Sequence, residues 1–208
     1  MARETGAACR KCRRERQKLY LKGTRCETSQ CALERRDTPP GMHNFRRGKL
    51  TDHAEHLREK QKVKRYYGVL ERQFRRYFAK ASAAKGNTGD NLLALLERRL
   101  DNVVHRLGLG LSRAQARQMV SHGHILINDK RCDVASYLVR LGDVISVNSR
   151  EKSIAKAKAI LDESKSEAPD YLITLDGDKI GGQVVRMPEA TDVLLPIQTQ
   201  LIVEFCSR

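Results

Sequence analysis

Four of the six cysteines stand in the first 31 residues, as Cys9-x2-Cys12-x13-Cys26-x4-Cys31. Two close pairs separated by a loop of this length have the spacing for one tetrahedral zinc, with Zn–S distances of about 2.3 Å. Four thiolates would fill the coordination shell and leave no position for a catalytic water, so the expected site is structural. Arg10, Lys11, Arg13 and Arg14 flank the first pair and would offset the negative charge of a tetrathiolate zinc. On spacing alone the alternatives are disulfides, free thiols or an iron–sulfur cluster. Cys132 and Cys206 read as scattered, unliganded thiols.

The remaining reactive residues assemble no catalyst. His53-Ala54-Glu55-His56 is not the H-E-x-x-H order of a metalloprotease, Gly41 to Gly48-Lys49-Leu50 is not a phosphate-binding loop, and no G-x-S-x-G occurs. What the chain offers is cations. Arg113 and Arg117, four residues apart on an expected helix, would set two planar guanidinium forks on one exposed face to meet phosphates. His122, His124, Asn128, Lys130 and Arg131 would extend that surface through the following turn. Nearer the N-terminus the expected RNA contacts are Arg3, Arg10, Lys11, Arg13, Arg14, Arg16, Lys18 and Lys22, then Arg35, Arg36, Arg46, Arg47 and Lys49. A helical stretch adds Lys62, Lys64, Arg65, Arg72, Arg75 and Arg76. Tyr66, Tyr67, Phe74, Tyr77 and Phe78 could stack on bases, but their helical spacing favours core packing.

The charge balance supports this reading. Of 208 residues, 40 are Lys or Arg and 25 Asp or Glu, a net of +15. Residues 1–90 carry +14 of it, a one-sided excess that calls for a polyanion. No apolar run approaches the roughly 18–20 residues that span a bilayer. The first residues have no apolar stretch of the kind a secretory signal needs, and Glu4 and Glu15 argue against a transit peptide. With 40% hydrophobic residues, 5% aromatics and no Trp, the core should be thin, part of the chain drawing its order from metal or RNA.

Three segments must position these groups. Residues 1–50, rich in Cys, Arg and turn formers such as Pro39-Pro40-Gly41, read as irregular and in need of a staple. Residues 51–84 turn helical: Asp52 and Glu55 have capping-box spacing, and Leu57, Val63, Tyr67, Leu70 and Phe74 recur mostly at steps of three and four, with Gly68 as a break. A loop at 85–89 leads to an apolar helix opened by Asp90 or Asn91 and closed by Gly108. Ser112, with Gln115 three residues on, caps a second short helix. Strands are expected at 125–127, 144–147, 172–175 and, after a turn at Asp176-Gly177-Asp178, up to Arg186, with a polar helix near 151–164 and an extended tail at Leu201–Phe205. The predicted fold is α+β: a zinc-stapled irregular segment (1–50), a basic helical domain (51–90 plus 188–208), and an inserted small α/β RNA-binding module with a mostly antiparallel sheet (91–187).

Leu96-Glu97-Arg98-Arg99-Leu100-Asp101-Asn102-Val103, Ser112-Arg113-Ala114-Gln115-Ala116-Arg117 and Val120-Ser121-His122-Gly123-His124-Ile125-Leu126-Ile127-Asn128 together resemble a small RNA-binding domain named after the small-subunit ribosomal protein four. Leu57–Arg75 is similar to that family's helical domain, Lys85–Leu93 to its hinge and Leu201–Arg208 to its ending. The whole chain resembles the bacterial-type family, and its N-terminal cysteines the family's zinc-bearing branch. Two departures stand out: no glycine follows His43, and Cys206 takes a usually aromatic position.

The resemblance implies a structural, non-catalytic constituent of the small ribosomal subunit. Such a protein is a primary binder of small-subunit rRNA at a multi-helix junction in its 5′ part, and it nucleates assembly of the subunit body. The implied partners are ribosomal protein five of the small subunit and mRNA near its entry path, with an influence on decoding accuracy. One structural zinc, no membrane and no small-molecule substrate complete the expectation, on a cytoplasmic or organellar ribosome. The alternative is an RNA-modifying or stress-related RNA-binding protein built on the same module. An enzyme would need a further catalytic domain, and only about 60 residues follow the module.

Overall fold

The computed structural model describes residues 4–42, 51–164, 168–175 and 179–207. Two compact units emerge, Met1–Leu92 with Leu194–Arg208, and Leu93–Val193. The cysteine-rich segment and the helical residues, read as separate from the sequence, share the first unit.

In that unit α1 (Ala8–Glu15) and the short α2 (Ala32–Arg35) flank a 3-10 turn at Gly23–Cys26. The segment expected to be irregular thus contains two turns of helix, which end where Arg16 adopts the left-handed conformation. Helix α3 (Asp52–Tyr67) is capped by Thr51, whose side chain accepts from the Ala54 amide, one residue before the expected capping box. It ends at left-handed Gly68, the break anticipated between two helices, and α4 (Glu71–Ala83) follows. Val63, Tyr66, Tyr67, Phe74, Tyr77 and Ala81 are buried and Phe78 is half-buried, so Tyr66, Tyr67, Phe74 and Tyr77 build core, as their helical spacing favoured.

The tail is α9 (Thr199–Ser207), a helix where alternation of Leu201, Val203 and Phe205 predicted an extended strip. Ile202, which the alternation left facing away, is the residue driven to 1% exposure. It packs with α9 on α3, where the Phe205 ring lies 5.3 Å from His53 and the Lys60 ammonium stands 5.0 Å over it.

The second unit begins within α5 (Thr88–Glu97), which starts two residues before Asp90 because the Asn87 side chain accepts from the Gly89 amide. The single helix expected through residue 107 breaks at Arg98-Arg99 and resumes as α6 (Leu100–Arg106). The break has a cause. Arg99 takes extended backbone angles and bridges to Leu138, while the Leu100 amide donates to Tyr137 at 2.8 Å. Then come α7 (Arg113–Ser121), capped as predicted by Ser112, β1 (Ile125–Ile127), β2 (Lys130–Arg131) and β3 (Val144–Val147). Helix α8 (Glu151–Glu163), β4 (Leu172–Thr174) and β5 (Gly181–Val184) complete it. The turn expected at 176–178 lies outside the described residues.

The sheet runs β2-β1-β3-β5-β4, every neighbouring pair antiparallel, as the composition of short strands and turns implied. Leu100, Val103 and Val104 of α6, Met119 and Val120 of α7, and Ile125, Ile145 and Val184 of the sheet form one apolar core, with Ala157 and Ile160 of α8 joining it.

Candidate nucleic-acid interface and cysteine cluster

Cys9 and Cys12 lie one turn apart on α1, Cys26 closes the 3-10 turn, and Cys31 stands immediately before α2. Helix spacing thus aims the first pair at one spot, and the loop returns the second pair to it. All four line one pocket, Cys12, Cys26 and Cys31 each 8% exposed and Cys9 partly buried. None is in a disulfide. Burial pushes the Cys12 and Cys26 thiols up, and the neighbouring cysteines push them further; backbone amides of Leu19 and Lys22 oppose this, the latter 3.4 Å from Cys26 Sγ. Four converging thiols with amides donating to sulfur are the donor chemistry of a thiolate metal site. Among the described residues, no group of three or more His, Cys, Asp or Glu is closed to metal-holding separation.

The first unit's cations divide into two groups. Some are held by protein. Arg58 and Arg65 converge on Glu15, whose side chain is 1% exposed; burial pushes this carboxyl up although both guanidinium groups favour its charge. Lys60, Lys64 and Arg75 share Glu71. Burial pushes Glu71 up, but the hydrogen bonds from these three cations outweigh it and hold its carboxyl at about 2. Lys62 pairs with Glu59, Lys18 with Glu34, and Lys11 with Glu4. Arg13 donates to the Thr38 and Pro39 carbonyls, pinning the proline loop. The other group points outward: Arg10, Arg14, Arg16, Lys22, Arg35, Arg36, Arg72 and Arg76 are exposed, and Arg75 is 76% exposed despite its pairing. Arg3, Arg46, Arg47 and Lys49 lie outside the described residues.

In the second unit one expectation fails. Arg113 and Arg117 do not share an exposed face. Arg113 is 8% exposed and donates to Asn102 Oδ1 at 2.8 Å, and Arg117 reaches Asp101 at 3.2 Å. They belong to a buried polar network that periodicity gave no means to foresee. Glu97 accepts from Asn102 at 2.6 Å and pairs with Arg106 at 3.1 Å, with the Tyr171 hydroxyl at 3.4 Å. Arg99, with no exposed surface, pairs with Asp101 at 2.6 Å. Sequence showed the acids of the L-E-R-R-L-D-N run but not that they face inward. Of the contacts expected here, His122, Lys130 and Arg131 are exposed and His124 is half-buried. Asn128, in the left-handed β1–β2 turn, spends its amide on Asp143 Oδ1 and the Val144 amide, so it shapes the turn.

A two-helix unit feeding a small antiparallel sheet, with cations on its turns and acids turned inward, is the architecture of an S4-type RNA-binding protein. Residues 98–145 match the S4 domain, and residues 3–97 match the ribosomal protein S4/S9 N-terminal domain. The chain is 52% identical to the small ribosomal subunit protein uS4 of Thermodesulfovibrio yellowstonii and 54% to that of Thermoanaerobacter sp. strain X514. It is 53% identical to the uS4A protein of Alkaliphilus oremlandii. Each match covers all of both chains. The chain belongs to the uS4 family of small ribosomal subunit proteins, a structural ribosomal family and not an enzyme family.

Proposed function

We propose that this chain is a structural constituent of the small ribosomal subunit that binds its rRNA through cationic surfaces on both units. The observation that carries it is the division of the cations. Those near Glu15 and Glu71 are neutralised internally, whereas Arg10, Arg14, Arg16, Arg72, Arg76, Lys130 and Arg131 are exposed, on a chain of net charge +15. Family membership supplies the RNA, and backbone phosphates supply the complementary charge. The finer reading is of early binding in the 5′ part of the rRNA, nucleation of the subunit body, contact with small-subunit protein five, and a place beside the mRNA entry path. That reading rests on whole-length likeness. The chain would then be ribosome-bound in the cytoplasm of a bacterial-type host. Purified chain should co-sediment with small subunits through a high-salt wash; release at the first wash would refute a primary rRNA-binding role.

A structural zinc held by Cys9, Cys12, Cys26 and Cys31 belongs to the same proposal, supported by their convergence on one pocket and the amide donors to sulfur. The metal would cross-link α1 to the loop before α2. Metal analysis should return one zinc per chain, lost when Cys12 and Cys26 are replaced by Ser. Protein without bound metal and with four freely reactive thiols would refute it.

A further inference from the structure

A second cationic surface stands beside the matched S4 domain, and half of it comes from a helix beyond that domain's last matched residue, 145. Helix α7 ends at Ser121 with His122 as its C-cap, the chain turns at Gly123, and His124 leads into β1; the two imidazole centroids are 6.2 Å apart. Gly123 is required twice over. Its φ is +72°, and a Cβ there would fall 2.4 Å from Arg131 Nε, so the Arg131 guanidinium lies directly across it. Arg150, the N-cap of α8, recurs with Ser153 and Lys156 at steps of three along one face of that helix. Buried Ser153 docks that face on the turn, its Oγ 2.9 Å from His124 Nδ1.

The cluster lacks counter-charge. Ion pairs hold several other cations of this unit: Arg99 and Arg117 with Asp101, Arg106 with Glu97, Lys179 with Asp129, and Arg186 with Glu189 and Asp192. Among the described residues Arg131, Arg150 and Lys156 have no such partner. The groups that act on His124 are Lys156 and Arg150 from α8 and His122 from its own turn, all cationic or able to become so, with Arg131 across Gly123. Glu151, in the first turn of α8, is exposed and not among them.

We propose that the α7–β1 turn, Arg131 and the Arg150–Lys156 face of α8 form one phosphate-binding surface for the rRNA backbone, extending the interface beyond the S4 domain. This rests on the rRNA-binding reading above. Burial first, then its cationic neighbours, hold His124 neutral below the usual imidazole range. A bound phosphate reverses that field, so binding draws a proton onto His124 and the contact tightens as pH falls.

The experiment titrates the full chain against a transcript of the 5′ part of small-subunit rRNA, across salt and between pH 7.5 and 5.5. Arg150→Gln/Lys156→Gln should flatten the salt slope by about 1.4–1.8 if both side chains meet phosphates, while Arg150→Lys/Lys156→Arg should leave it unchanged. Wild type should gain at least roughly threefold more affinity on acidification than His124→Asn, which keeps a polar partner for Ser153. A wild-type slope in the Gln variant, while Arg10→Gln/Arg14→Gln weakens binding, overturns this surface and leaves the rRNA-binding function standing. A wild-type chain that fails to bind the transcript overturns both.

Discussion

At the scale of single residues, the second unit is organised by charged groups that burial has removed from solvent. His105 reports on them. Its Nδ1 lies 2.8 Å from the Gly110 carbonyl, to which it donates, and burial followed by the Arg113 and Arg106 charges lowers its pKa to about 4. The folded state therefore resists a proton that the unfolded chain accepts near 6.5. Stability is full above about pH 6.5 and falls as the pH drops toward 4, by about 3 kcal/mol for this group alone. Asparagine at 105 can keep the bond to Gly110 without titrating. His105→Asn should flatten the unfolding free energy between pH 6.5 and 4 relative to wild type. Identical pH profiles would mean that the imidazole is not held neutral. Nothing in the spacing of His105 marks it out. Its behaviour depends on Arg113, which sequence reasoning had turned toward RNA, because a lone Arg on a helix is read as solvated unless its acid is known to be buried with it.

At the scale of elements, legibility tracked the length and regularity of the pattern. Helices α3 and α4, with apolar residues at steps of three and four and a glycine between them, were read nearly to their ends. So were the cap at Ser112, strands β1 and β3, and α8. The failures are local. Leu201, Val203 and Phe205 satisfy a strand's period of two, yet nine residues close their own hydrogen bonds as α9 while Ile202 packs inward. The break before α6 depends on backbone pairing with Leu138, some forty residues away, which no window around Arg99 contains. Two element-level outcomes can be measured. Truncation after Gln198 should speed hydrogen exchange in α3, which loses the α9 face and the Phe205–His53–Lys60 stack, more than in α7 or β3. Gly181→Ala should destabilise the sheet, because a Cβ there would stand 2.0 Å from the Ile145 carbonyl oxygen and force β5 off β3. Loss of β5–β3 amide protection should accompany a fall in melting temperature, and a wild-type melt would show that the strands part without cost.

At the scale of the whole molecule, net charge located the function, but the structure decides which cations can serve it. The excess of +14 over residues 1–90 counts Arg58, Lys60, Lys64 and Arg65 equally with Arg10 and Arg14. Five cations in fact converge on Glu15 and Glu71, and Arg13 is spent on the proline loop. Charge counting was blind to this because pairing needs distances between residues 43 to 50 positions apart, as in Glu15 with Arg58 and Arg65. Such pairs position α1 against α3 and add little free charge for RNA. The two groups should separate in a salt titration. Each phosphate neutralised contributes roughly 0.7 to 0.9 to the slope of log affinity against log salt. Replacing exposed Arg10, Arg14 and Arg16 by Gln should therefore flatten the slope by about two to three if all three meet phosphate. Replacing Arg65 by Gln should leave the slope nearly unchanged while lowering the melting temperature, since it withdraws one of two guanidinium partners from a buried carboxylate. A full-sized slope change for Arg65→Gln, with none for the exposed trio, would mean that RNA opens the Glu15 pairs and binds what they release.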